Sequence, residues 1–98
     1  MELGGNITLS GFSDLERPEL VIVKKIVGSY ARKFSEGLIM KNLELTLKSV
    51  HKTDKNEKYE IHARLLTNEK SFVSEVTDYN LFFVLDAVLK KIEEQVKK

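Results

Sequence analysis

Two stretches of this chain alternate apolar and polar side chains with a period of two, and nothing else in the sequence constrains the fold as tightly. From Asn42 to Lys48, Leu43, Leu45 and Leu47 fall on one side, with Asn42, Glu44, Thr46 and Lys48 on the other. From Lys58 to Arg64 the pattern repeats, with Tyr59, Ile61, Ala63 and then Leu65 opposite Lys58, Glu60, His62 and Arg64. A pleated strand sends successive side chains to opposite faces, so each stretch is a strand with one apolar and one charged face. Strands of this kind build a sheet that is covered on one side and wet on the other. The polar residues His51 to Glu57 between them form a hairpin loop, which makes the two strands antiparallel.

The remaining elements must supply the cover. Thr67 to Lys70 is a second, tighter turn, and Ser71 to Val76 follows as a strand with Phe72, Ser74 and Val76 on one face. Asn6 to Ser10 is a short strand set between Gly4-Gly5 and Gly11, and Gly11 to Arg17 is a connecting loop. From Pro18 to about Ser35, Leu20, Val23, Val27, Ala31 and Phe34 share one helical face, with Ile26 and Tyr30 flanking it and Gly37 as the stop. Pro18 suits the first turn, and Asp14 is placed to accept from free amides near the helix start. Gly28 costs this helix about 1 kcal/mol against alanine unless close packing requires it. In the closing stretch, Thr77 to Lys98, the residues Phe82, Leu85, Leu89, Ile92 and Val96 recur at helical spacing.

The order is β-α-β-β-β-α. It predicts an α+β fold: a two-layer α/β sandwich of one four-stranded, mostly antiparallel sheet with two helices on one face. The first two strands, joined through a helix, are either parallel neighbours or separated within the sheet.

Residues 1–98 are expected to form a single domain, with globular composition at 42% hydrophobic and 32% charged residues. There is no cysteine, so disulfide and thiolate chemistry are absent and a reducing compartment suits the chain. The N-terminus carries neither the basic nor the apolar region of a signal peptide, and no apolar run approaches the roughly 20 residues of a membrane span. A cytoplasmic protein without a membrane partner is the expectation.

For catalysis the sequence offers little. His51 and His62 lie in a loop and on a wet strand face, with no third ligand at workable spacing, so no metal, cofactor or small-molecule substrate is expected and the chain reads as a non-enzyme. Net charge is +1, from 16 basic against 15 acidic residues, so nucleic-acid binding requires charge segregated onto one face.

Two surface features carry functional interest. Lys24-Lys25 and Arg32-Lys33 sit eight residues apart in the first helix; Lys90-Lys91 and Lys97-Lys98 sit seven apart in the second. Seven or eight residues is about two turns, so each helix carries a double basic band, and helices lying side by side merge the bands. The alternative is ordinary solvated lysines, with Glu93 and Glu94 as i, i+4 partners of Lys97 and Lys98. The second feature is surplus apolar surface: Leu81, Val84 and Val88 beside the core stripe of the last helix, and Val21 and Ile22 near the start of the first. Either a partner covers these residues, a second copy included, or close packing of the two helices does.

The element order and the last helix together resemble the ribosome hibernation promoting factor and ribosome-associated factor Y family. The local likeness is Asn80-Leu81-Phe82-Phe83-Val84-Leu85-Asp86, then Lys91-Ile92-Glu93-Glu94-Gln95-Val96-Lys97-Lys98, with Asn6-Ile7-Thr8-Leu9 similar to the family's opening segment. The resemblance implies a factor that docks in the small ribosomal subunit, contacts rRNA through basic residues of both helices and down-regulates translation under stress. Lys33, Lys91, Lys97 and Lys98 stand where the family tends to be basic. The sequence departs from the family at Glu94, which stands where arginine is usual, and at Val27, where a basic residue is common. Phe83 and Val84 stand where residues are usually small. Those departures leave room for a non-enzymatic protein-interaction or homodimerisation module of the same fold with no RNA role.

Overall fold

The alternating strands pair as their patterning requires. The computed structural model describes residues 6–37, 40–50 and 57–97. Gly4-Gly5, His51 with most of its hairpin loop, and Lys98 lie outside the described residues. The elements run β1 (Ile7–Ser10), α1 (Arg17–Gly37), β2 (Met40–Val50), β3 (Lys58–Thr67), β4 (Ser71–Asp78) and α2 (Leu81–Val96). The sheet order is β1-β2-β3-β4, with β1 parallel to β2 and the other two pairs antiparallel. Of the two arrangements open to the first strand, the parallel neighbour is the one adopted.

Register places like with like on each face. Leu9, Leu45 and Ala63 stand in line, as do Ile7, Leu43, Leu65 and Phe72. These side chains are buried, together with Val23, Val27, Ala31 and Phe34 of α1 and Leu85, Leu89 and Ile92 of α2. The opposite face carries Glu44, Arg64 and Val73 in one row and Thr46, His62 and Glu75 in the next. Ser74, a polar side chain on the apolar side of β4, donates its hydroxyl to the Val88 carbonyl at 2.8 Å. That bond offsets the cost of placing a hydroxyl under a helix.

Local chemistry sets the ends. Asn80 caps α2, its Oδ1 accepting from the Phe83 amide at 3.0 Å. At α1 the Glu16 amide donates to Glu19 Oε1 at 3.1 Å, so Glu19 takes the role expected of Asp14. Thr67 closes the turn into β4, its hydroxyl accepting from the amides of Glu69 and Lys70. Gly11 has φ 81°, and a β-carbon there would stand 2.2 Å from the Leu47 carbonyl oxygen, so only glycine lets the chain leave β1 so close to β2. Nothing lies within 4 Å of the β-carbon position at Gly28, so close packing does not account for that residue.

The loop read between β1 and α1 contains Phe12, among the largest side chains with no exposed surface. A lone aromatic in a polar turn has no periodicity to announce it. β4 forms one edge of the sheet, and α2 covers that edge as well as the sheet's face. Gln95 Nε2 donates to the Val73 carbonyl at 2.7 Å, and Lys91 Nζ approaches the Glu75 carbonyl at 3.5 Å. Residues 91 and 95 are one helical turn apart, and the carbonyls at 73 and 75 are one pleat apart on the same side of the strand, so the spacings match.

Covering both face and edge widens the buried surface of α2. Leu81, Val84 and Val88, expected as a surplus stripe available to a partner, are buried core residues. Of the two covers open to them, packing within the chain is the one realised. Among the described residues no helix is long and apolar enough to cross a membrane.

Candidate functional site

With Leu81, Leu85, Val88 and Ile92 facing inward, the outward surface of α2 is determined by helical geometry. Phe83, Lys90 and Lys97 are spaced by seven residues and are all exposed, so they form one row along the outside of the helix. On α1 the buried positions Val23, Val27, Ala31 and Phe34 leave Lys25 and Arg32, also seven apart, on the outside. Lys24 is exposed on the flank of α1, nearer its buried stripe.

The two helices lie side by side and run parallel. Tyr30 Oη donates to Asp86 Oδ1 at 3.0 Å, and Lys33 Nζ lies 3.7 Å from Glu93 Oε2, about one turn further along α1 and two turns further along α2. Burial and the neighbouring Asp86 carboxylate push the Tyr30 hydroxyl up to about 12. The Lys33 ammonium also sits 5.0 Å from the centre of the Tyr30 ring. Glu93 is therefore committed across the groove to Lys33 rather than along its own helix to Lys97.

The helix contacts sort the basic residues. Lys33 is neutralised by Glu93, and Lys91 leans over the β4 edge. Among the described residues, Lys24, Lys25, Arg32, Lys90 and Lys97 carry no ion pair. Lys25, Arg32, Lys90 and Lys97 share the outer surface of the helical layer, interrupted by exposed Glu36 and Glu94.

Acidic residues gather elsewhere. Asp14, Glu16, Glu19 and Glu57 line a cleft of about 420 Å³ with Ser49 and Tyr59, between the start of α1 and the ends of β2 and β3. A hydrogen bond to Glu57 raises the Tyr59 hydroxyl above its ordinary value. The near-zero total charge thus contains an acidic end, which leaves the outer helix surface more basic than the composition indicates.

On the open sheet face a hollow of about 540 Å³ is lined by Glu44, Thr46, His62, Arg64, Val73 and Glu75. His62 is held between two carboxylates, with Nε2 2.7 Å from Glu60 and Nδ1 3.3 Å from Glu75. The contact with His62 lowers the Glu60 carboxyl from its ordinary value. This imidazole is thus a bridging group across β3 and β4, more engaged than a solvated one.

Exposed apolar side chains complete the surface. Val21 and Ile22 are 49% and 42% exposed and flank Lys25 across the outside of α1; Phe83 and Tyr79 are each 56% exposed. Of the apolar residues singled out in the sequence, Val21 and Ile22 therefore remain on the surface, and Leu81, Val84 and Val88 do not. Val27 and Val84 are fully buried, so neither alters the surface that the family resemblance places against RNA. Phe83 does alter it. The spacing of Phe83, Lys90 and Lys97 was visible in the sequence, but which row faced outward depended on the burial of its neighbours.

No family model matches the sequence, and no curated protein matches it significantly. Solved structures share the fold. A ribosomal subunit interface protein from Coxiella burnetii aligns with a TM-score of 0.65 over 94% of this chain and 91% of its own, at 14% sequence identity. The N-terminal domain of Thermus thermophilus Protein Y aligns with a TM-score of 0.62 over 95% of this chain and 97% of its own, at 15% identity. At these identities the likeness is one of architecture along nearly the whole of both chains, and it matches the fold expected from the resemblance.

Proposed function

We propose that this chain, acting as a single domain, is a non-enzymatic ribosome-associated factor that contacts small-subunit rRNA through the outer faces of its paired helices and lowers translation under stress. The observation that carries the reading is the side-by-side placement of Lys25 and Arg32 on α1 with Lys90 and Lys97 on α2, none of them neutralised within the described residues. A surface of this kind binds phosphates by displacing counterions and needs no cofactor or small-molecule substrate. The shared fold of proteins named for a ribosomal subunit interface and for Protein Y supports the choice of partner, and the cytoplasm is where that partner resides.

Within this reading the candidate contacts rank by whether an internal contact already occupies them. Lys25, Arg32, Lys90 and Lys97 take the leading role, Lys24 a flanking one, and Lys33 and Lys91 a lesser one because each has an internal contact. Lys98 completes the set from beyond the described residues. Co-sedimentation with purified small subunits tests the reading. Binding should weaken steeply with salt, and Arg32→Glu with Lys90→Glu should abolish most of it and flatten the salt dependence. Unchanged co-sedimentation of that double variant removes the rRNA assignment.

Exposed Val21 and Ile22 favour a second reading, a protein-interaction or homodimerisation module with no RNA role. Sedimentation equilibrium separates the two: a dimer that Ile22→Asp converts to monomer supports the second.

A further inference from the structure

The ring of Phe83 stands outside the cluster of core residues and its packed neighbours. Among the described residues no other ring and no cation lies against it. Tyr79, the other strongly exposed aromatic, differs: the Lys58 ammonium lies 5.1 Å from its ring centre. The residue one turn after Phe83 on the same side is Ala87, whose methyl leaves the flank of the ring open. Two turns after it, about 11 Å along the axis, comes Lys90, and two turns beyond that Lys97.

Folding gains little from an aromatic in this place, because the residue is more than half exposed and does not pack on the core. Its surroundings do not suit a broad apolar interface either. Polar Asn80 and Asp86 lie one turn from it, Lys90 and Glu94 follow further along the helix, and a stable protein contact covers roughly 800 Å² on each partner. A lone open ring followed by two cations is instead the arrangement of grooves that hold single-stranded nucleic acid, where an aromatic face stacks an unpaired base and cations take the neighbouring phosphates.

We propose that Phe83 is a base-stacking platform: the outer face of α2 holds a single-stranded segment of RNA with one splayed base on the Phe83 ring and its phosphates along Lys90 and Lys97. The proposal rests on the RNA-contacting reading above and adds to it a non-electrostatic anchor.

The test uses the full chain with purified small ribosomal subunits at fixed salt. Phe83 is exposed, so its variants should fold as the parent does, which circular dichroism checks. Phe83→Ala and Phe83→Leu should each weaken binding roughly 10-fold or more with the salt dependence unchanged, because a stack is lost and no phosphate contact is. Phe83→Trp should retain binding. The chain has no other tryptophan, so its fluorescence should be quenched as subunits are added, with the same midpoint as sedimentation.

Parental binding by Phe83→Ala, with binding still lost in Arg32→Glu with Lys90→Glu, overturns the stacking and leaves the ribosome reading in place. Parental binding by Phe83→Leu, with Phe83→Ala weak, also overturns it, because an aliphatic side chain replaces an apolar protein contact and not a π-face. Failure of the parent chain to bind subunits removes both.

Discussion

Replacing Tyr30 by phenylalanine isolates a side-chain hydrogen bond that ties the two helices together. The substitution keeps the ring, and with it the Lys33 contact at 5.0 Å and the Phe34 ring at 6.1 Å, and removes only the hydroxyl that donates to Asp86 at 3.0 Å. The rise of the Tyr30 hydroxyl from 10.0 to about 12 corresponds to roughly 2.7 kcal/mol if felt in full, and burial is a larger cause of it than the bond to Asp86. The hydroxyl is partly open to solvent, and screening reduces the expected effect to about 1 kcal/mol.

Its pH dependence has a definite sign. Below about pH 10 the phenol is protonated in both states, and the bond contributes fully. Between about pH 10 and about pH 12 the unfolded chain releases its proton while the folded chain retains it, so the contribution is lost as pH rises. Urea unfolding of both proteins from about pH 8 to about pH 11 measures this, with the other titrating groups cancelling in the difference. Tyr30→Phe should be less stable by about 1 kcal/mol at the lower end, and the gap should narrow above about pH 10. A gap that stays constant or widens with pH would refute the assignment of this bond.

Two other outcomes follow from packing. Val84→Asp places an unpaired carboxylate where the side chain has no exposed surface. The desolvation cost of several kcal/mol, added to the lost apolar burial of about 1.5–3 kcal/mol, rivals the whole stability of a domain this size, and circular dichroism should show an unfolded chain. A folded monomer would instead return Val84 to the list of interface residues. The two glycines should respond in opposite directions. Gly11→Ala forces a β-carbon onto the Leu47 carbonyl at positive φ and should cost more than about 2 kcal/mol in urea unfolding, whereas Gly28→Ala in open space should stabilise by about 0.5–1 kcal/mol.

The strand faces were legible in the sequence because a period of two admits one interpretation when one side is apolar and the other charged. Leu43, Leu45 and Leu47 could not face water together, and Ile61, Ala63 and Leu65 had to join them. The helices were legible as elements, but their faces were only half determined. A single apolar stripe suffices to cover a sheet, so Leu81, Val84 and Val88 looked like surplus. They are not, because α2 also overlaps the β4 edge, where Gln95 and Lys91 reach the carbonyls of Val73 and Glu75. Nothing local to those residues shows that a strand edge lies beside them. The same limit applied to the lysines: spacing showed that they recur every two turns, and only contacts showed that Glu93 neutralises Lys33 and, among the described residues, leaves Lys90 and Lys97 without an ion pair.

By itself the sequence determined the element order, the apolar side of each strand and the recurrence of basic residues along both helices, since these follow from periods of two and 3.6 acting within a few residues. Tertiary structure alone decided the parallel pairing of β1 with β2, the burial of Phe12, and which rows of α1 and α2 face water. Those outcomes depend on surfaces brought together from distant parts of the chain, and burial is a property of the pair of surfaces rather than of either one.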